Sequence, residues 1–135
     1  MISYSEHKDL ESRAAMINNT ANAVLISIHQ NDFPTSQPSG AQVLYSAYGD
    51  SSVLGNLTHD NLVHLLDPEN RRLAEPAPKN LYITANAACP AVLVECGFMS
   101  NNFEVLKLCD SGYQTSIATI LIGSMLQYLN SDTTV

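Results

Sequence analysis

Two polar side chains stand at the ends of two apolar segments of strand length. His29 follows residues 24–28, and Glu95 follows residues 91–94. A buried strand should not end in a charged residue unless the charge is used or paired, so Glu95 is the first residue to explain. In open α/β sheets, functional groups gather beyond the carboxyl ends of the strands. We therefore expect His29 and Glu95 to meet in one cleft.

An imidazole beside a carboxylate is typical of hydrolytic metal sites. A neutral imidazole is a good zinc ligand, and a nearby carboxylate serves as general base for a metal-bound water. The residues alone leave other interpretations open. His29 is also compatible with a hydrogen-bonded histidine at a strand end, and Glu95 with a carboxylate that pairs with Arg13 or caps the turn at Gly97.

The other histidines and the cysteines offer less chemistry. His7 lies in a polar N-terminal segment, and His59 and His64 are expected on the solvated surface of a helix. The three cysteines are an odd number without a CxxC pair, so the sequence has no disulfide framework and paired-thiolate metal binding is disfavoured. We expect the cysteines to be small buried hydrophobic residues.

Composition narrows the class of protein. The 135 residues suffice for one compact domain, and 45% of them are hydrophobic against 14% charged. The formal net charge is −7, from 6 Lys+Arg and 13 Asp+Glu, which argues against a nucleic-acid or anionic-membrane partner because no basic patch can form. We expect no signal peptide and no membrane-spanning segment, since no apolar run is long enough.

Alternating helix and strand patterns predict an α/β fold with a mostly parallel mixed sheet flanked by helices. Strands are predicted at 24–29, at 41–45, at 81–84 and at 91–95, the first of them covered on both faces. Helices are predicted at 9–21, after a cap at Ser51 or Ser52, after a cap at Asn102 with Phe103 and Leu106 inward, and from Ser111 with Tyr113, Ile117, Ile120, Leu121 and Tyr128 on one stripe. Residues 68–79 are predicted to be an exposed connection.

Three segments carry a family resemblance. They read Leu-Ile-Ser-Ile-His-Gln-Asn at 25–31, Ser-Gly-Ala-Gln at 39–42 and Pro-Ala-Val-Leu-Val-Glu-Cys-Gly-Phe-Met-Ser-Asn at 90–101. With these SIHxN and PAxLVExGFxSN motifs the sequence resembles the zinc-dependent N-acetylmuramoyl-L-alanine amidases. The similarity runs from about residue 9 to about residue 129 and is greatest to the spore-cortex amidases of the CwlD type.

The resemblance implies a three-layer amidase fold and a peptidoglycan hydrolase of the cell wall or cell envelope, with a role in sporulation or germination. Such enzymes cleave the amide between N-acetylmuramic acid and the L-alanine of the stem peptide. They use a zinc ion held by His, Glu and His, and a Glu that assists proton transfer. By motif, His29 becomes the last zinc ligand and Glu95 the catalytic carboxylate. The Asn31 and Asn101 amides and the loop at 32–40 are expected to contact peptidoglycan.

The sequence departs from the family pattern at its start. The family begins with a strand and loop that supply the first zinc His, a helix with the Glu ligand and a further strand, and this sequence shows no counterpart. We therefore expect the chain to be the C-terminal part of an amidase catalytic domain with an incomplete zinc site. A second copy of the chain could cover the sheet edge left open. The alternatives to an enzyme are an inactive peptidoglycan-binding module and a self-assembling fragment.

Overall fold

The structure, a computed structural model, describes residues 4–131. In chain order the elements are α1 (Tyr4–Asn18), β1 (Leu25–Asn31), β2 (Gln42–Tyr45), α2 (Ser51–Leu65), β3 (Glu75–Pro76), α3 (Tyr82–Ala85), β4 (Ala91–Phe98), α4 (Asn102–Leu108) and α5 (Ser111–Ser131). Within this range, every helix is too short or too polar to cross a lipid bilayer.

The four strands form one mixed sheet in the order β1-β4-β2-β3. β1 runs parallel to β4, β3 runs parallel to β2, and β2 runs antiparallel to β4. This confirms the predicted mostly parallel sheet flanked by helices. β4 is buried along its length except at Glu95, which is half-buried. A continuous apolar strand of this kind is typical of a central position covered on both faces.

The predicted coverage of β1 on both faces is wrong. Ile28 is 58% exposed, and the second half of the strand faces solvent. Among the described residues β1 pairs only with β4, so it is an edge strand. An edge strand retains unpaired backbone donors and acceptors along its outer side.

Helices α2 and α5 cover one face of the sheet and form the main core. The α5 stripe is confirmed, because Ile117, Ile120, Leu121 and Tyr128 are all buried against Val43, Val92, Val94, Leu54 and Leu62. The Tyr128 hydroxyl donates to Asp50 Oδ1 at 2.6 Å and so fixes α5 to the start of α2. On the other face, Ala87, Cys89 and Ala91 pack with Ile17 and Leu25 and hold α1 against the sheet.

Three predicted elements differ in the structure. Residues 81–84, predicted as a strand, contribute to the short helix α3. Asp50 rather than Ser51 is the N-cap of α2, and it makes no side-chain capping bond. The 68–79 connection is not simply exposed, because it contains β3 and the buried Asn70, whose amide donates to the carbonyl of Ala41 at 2.8 Å.

The prediction for the inward face of α4 is also wrong. The N-cap is Asn101, and Phe103 and Leu106 are 80% and 71% exposed. The buried residue is Glu104. Helix α4 is therefore anchored by the Glu104 carboxylate, with Leu108 partly buried against the main core.

The predicted exposure is wrong for one histidine, His59, and for one cysteine, Cys109. His59, predicted on a solvated surface, is 3% exposed, and its Nε2 has no hydrogen-bond partner within residues 4–131. His64 is exposed as predicted. Of the cysteines, Cys89 and Cys96 are buried but Cys109 is exposed.

Candidate functional site

The ends of β1 and β4 bring His29 and Glu95 together. The two residues are register partners in the parallel pairing, so their side chains project from the same face of the sheet. His29 Nε2 lies 2.9 Å from Ser27 Oγ, which is two residues earlier on that face. The structure thus places the two sequence-predicted residues side by side.

Glu95 occupies an environment that favours its neutral form. Burial raises the pKa of the Glu95 carboxyl above its ordinary value, and the nearby His29 imidazole opposes that increase. Glu95 Oε2 is buried and lacks a hydrogen-bond partner among the described residues. Arg13, the partner left open by the sequence, instead forms an ion pair with Asp9 at 2.7 Å. A carboxyl group with a raised pKa and an unused oxygen is suited to proton transfer.

A register shift follows Glu95 directly. His29 pairs with Glu95, but Asn31 pairs with Phe98, so β4 has one more residue than β1 between these pairs. Such β-bulges often redirect a side chain beside an active site. Here the bulge ends the regular pairing just beyond the two candidate residues.

The segment after Glu95 holds the strand end in place. Glu104 Oε2 accepts hydrogen bonds from the backbone N–H of Phe98 at 3.1 Å and of Gly40 at 2.9 Å. A Cβ at Gly97 would lie 3.0 Å from that same oxygen, which explains the glycine in the motif. Ser100 Oγ accepts from the backbone N–H of Phe33 at 3.2 Å. Glu104 and Ser100 thus hold β4, α4 and the loop before β2 together.

The two asparagines predicted to contact substrate make internal contacts. Asn101 Oδ1 accepts from the backbone N–H of Phe103 at 3.0 Å, and its Nδ2 donates to the carbonyl of Pro38 at 3.2 Å. Asn31 Oδ1 accepts from the backbone N–H of Asp32 at 2.8 Å. Both therefore shape loops at the site, and their contact with substrate stays a prediction.

Gln42 and Arg72 extend the site across β2. Gln42 is the register partner of Glu95 on the opposite side from His29. Arg72 Nη1 donates to Gln42 Oε1 at 3.3 Å, and the guanidinium carbon lies 4.4 Å from the centre of the Phe98 ring. The sequence pattern did not indicate Arg72, because this residue lies in the 68–79 segment predicted to be an exposed connection. The sequence feature that could have pointed to this part of the site is the Ser-Gly-Ala-Gln motif, which contains Gln42.

A small cavity adjoins His29. It has a volume of about 120 Å³ and lies between β1 and α3, with Ser27, Leu93, Tyr82 and Thr84 in its wall. Ligand pockets for drug-sized molecules usually measure about 300–1,000 Å³. A large substrate would therefore lie across the open strand ends rather than inside this cavity.

The zinc ion implied by the resemblance does not fit the described residues alone. Catalytic zinc normally takes three protein ligands and keeps one open position. No group of three His, Cys, Asp or Glu side chains within residues 4–131 is arranged to hold a metal ion. The site in this part of the chain offers one imidazole, His29, with the Glu95 carboxylate beside it.

Comparisons with known proteins agree on one protein family. The family model described as N-acetylmuramoyl-L-alanine amidase matches residues 2–126. The chain is 31% identical over 128 residues to the germination-specific N-acetylmuramoyl-L-alanine amidase of Bacillus subtilis (strain 168). That alignment covers 93% of this chain but 53% of the relative, so the chain spans about half the length of that protein.

Solved structures show the same architecture. The CwlD amidase from Clostridioides difficile, in complex with the GerS lipoprotein, is 31% identical with a TM-score of 0.87, covering 96% of this chain and 67% of that one. An N-acetylmuramoyl-L-alanine amidase from Clostridium difficile 630 is 26% identical with a TM-score of 0.81, covering 90% and 66%. The fold predicted from the sequence is therefore confirmed by these neighbours.

Proposed function

The chain belongs to the N-acetylmuramoyl-L-alanine amidase family, and from this premise we propose that it carries the proton-transfer half of a peptidoglycan amidase site. The bond cleaved would be the amide between N-acetylmuramic acid and the L-alanine of the stem peptide. Glu95 would be the catalytic carboxylate, with His29 as a metal ligand beside it. The predicted status of the chain as the C-terminal part of a catalytic domain stays a prediction.

The observation that carries this proposal is the apposition of His29 and Glu95 in register at the ends of two parallel strands. Glu95 Oε2 is also buried without a hydrogen-bond partner among the described residues. Leaving such a group without a partner costs free energy, so its presence supports a functional role.

Glu95 would move one proton twice. Its carboxylate accepts a proton from the attacking water as the water oxygen bonds to the amide carbonyl carbon. The resulting carboxylic acid then donates that proton to the leaving nitrogen as the carbon–nitrogen bond breaks. A raised pKa assists the second step, because a general acid works best when its pKa lies near the working pH.

Zinc would polarise the carbonyl and activate the water in this family, and we propose His29 as one of its ligands. The described residues do not supply the two further ligands. The chemistry assigned to residues 4–131 is therefore the proton transfer at Glu95 and the binding of the stem peptide beside it.

An assay of soluble muropeptides tests this assignment. The 135-residue chain with added zinc is expected to bind the muropeptide but to release new L-alanine amino groups no faster than the Glu95→Gln variant. Turnover well above that variant would contradict the incomplete site. Failure to bind the muropeptide at all would contradict the peptidoglycan substrate.

A peptidoglycan-binding module without turnover is the nearest alternative, and retention on purified sacculi is common to both. The two differ in the effect of Glu95→Gln when the missing ligands are supplied. If this chain is part of an amidase site, the change equivalent to Glu95→Gln should abolish hydrolysis by a longer, active relative. A binding module predicts no hydrolysis to lose.

The exposed edge of β1 favours a second candidate, self-association. Ile28 is exposed on a strand whose outer edge has no partner in the described residues. Two copies could pair through these edges and cover the apolar side chains. Sedimentation analysis tests this, with Ile28→Lys expected to shift a dimer to monomer. A monomeric wild-type mass at high concentration would refute it.

Location and partners follow from the same proposal. The B. subtilis relative is described as germination-specific, and the C. difficile neighbour was solved with a lipoprotein. We place this chain at the cell wall, with peptidoglycan as its substrate and spore germination as its setting. Detection of the tagged protein away from the envelope of sporulating cells would contradict this placement.

A further inference from the structure

Arg72 is a fixed cation without a counter-ion in the part of the chain that the structure describes. Its Nε donates to the carbonyl of Ser39 at 2.8 Å, its Nη1 donates to Gln42 Oε1, and its guanidinium lies on the Phe98 ring. No carboxylate within residues 4–131 forms an ion pair with it, whereas Arg71 pairs with Glu69 at 3.2 Å. A guanidinium that is held in place, partly exposed and without an acidic partner is well suited to bind an anionic group.

The surrounding loop is built to hold Arg72. Its backbone N–H donates to Asn70 Oδ1 at 3.0 Å, and the Asn70 amide donates to the carbonyl of Ala41. Gly40 has a φ of +88°, and a Cβ there would lie 2.6 Å from Asn70 Oδ1. The Ser-Gly-Ala-Gln motif therefore brings β2 and the Arg72 segment into close contact.

Arg72 lies in line with the two candidate active-site residues. His29, Glu95 and Gln42 are neighbours across three strands, and Arg72 contacts the outer end of Gln42. Cross-strand Cβ atoms are about 5 Å apart, so the guanidinium lies on the order of 8–10 Å from the Glu95 carboxyl. It is too far to share a proton with Glu95 but close enough to bind the same substrate.

We propose that Arg72 forms a subsite for a carboxylate of the stem peptide. This rests on the proposed amidase function. A guanidinium has five N–H donors and matches a carboxylate in a two-point fork, and Nη2 has no partner among the described residues. An extended peptide advances about 3.3–3.6 Å per residue, so the carboxylate belongs about two or three residues beyond the scissile amide.

Binding of two ligands by the intact 135-residue chain tests the subsite. One is a soluble muramoyl-peptide with free side-chain and terminal carboxylates. The other is the same molecule with the carboxylates beyond the L-alanine converted to carboxamides. We expect calorimetry to show the carboxamide ligand binding about 10- to 100-fold more weakly, the range for a charge-assisted pair.

Two variants complete the experiment. Arg72→Gln should weaken binding of the free-carboxylate ligand by the same factor and leave the carboxamide ligand unaffected, while Arg71→Gln should change neither. Equal wild-type affinity for both ligands overturns the subsite and leaves the proposed function standing. The carboxamide arm needs no variant, so a folding defect in Arg72→Gln cannot obscure the result. Absence of any muropeptide binding by folded wild-type protein overturns both.

Discussion

Glu104 provides the sharpest test of how the site is held together. Its buried Oε2 accepts from the backbone N–H groups of Phe98 and Gly40, one at the end of β4 and one in the loop before β2. Replacing it with Ala leaves two buried donors without acceptors. Hydrogen bonds to charged groups are worth about 1.5–3 kcal/mol each. We expect Glu104→Ala to lower the free energy of unfolding by about 3–5 kcal/mol, a large part of the total for a small domain.

Urea denaturation followed by circular dichroism measures this loss, and amide hydrogen exchange locates it. The Gly40 and Phe98 amides should lose protection before the core amides of β4. Glu104→Gln keeps one acceptor oxygen without the charge, so about half the loss is expected. Glu69→Ala is the matched control, because that side chain is exposed and should change stability by less than about 0.5 kcal/mol. A loss below about 1 kcal/mol for Glu104→Ala would refute the role of Glu104 in holding β4, α4 and the loop before β2 together.

Three further predictions concern Glu95, the cysteines and Gly40. Burial raises the folded-state pKa of Glu95, so its contribution to stability is fully present below the ordinary Glu pKa and is lost as pH rises through the raised value. In chemical denaturation, the Glu95→Gln variant should therefore gain stability relative to wild type as the pH rises through this range. A stability difference that does not depend on pH would contradict this prediction. In the native protein one thiol, that of Cys109, should react with a disulfide reagent, and all three should react after unfolding. Cys96 should not react while the protein is folded, because it is buried and its pKa is raised to about 11. Labelling of Cys96 in the folded protein would contradict this prediction. Gly40→Ala should cost about 1–3 kcal/mol because its φ is positive and Asn70 lies in the way, and an unchanged melting midpoint would refute it.

The juxtaposition of His29 and Glu95 was easier to predict than the contacts that support it. His29 and Glu95 could be found because each ends an apolar run, and strand ends in parallel sheets converge. Glu104 and Arg72 could not, since their roles depend on contacts between segments distant in sequence. One local signal for Glu104 existed, because Asn101 and Glu104 have the spacing of an N-cap and an acid in the first turn.

The errors in the fold have specific physical causes. Residues 81–84 are rich in β-forming side chains, yet they form a helical turn that buries Thr84. His59 looked polar on a helix surface, but the packing of α2 buries its ring and lowers its pKa by desolvation. Ile28 is exposed because β1 is at the edge of the sheet, and the apolar residues of the strand do not by themselves indicate its place in the sheet.

The proposed peptidoglycan site lies around Glu95 and comprises the ends of β1 and β4 and the start of β2. A titration of the isotope-labelled chain with a soluble muramoyl-peptide, followed by NMR, tests it most directly. We predict saturable shifts at His29, Glu95, Gln42 and the Arg72 side chain, with binding retained in Glu95→Gln. Shifts confined to the α2 and α5 face, or no saturable binding by the folded protein, would contradict the claim.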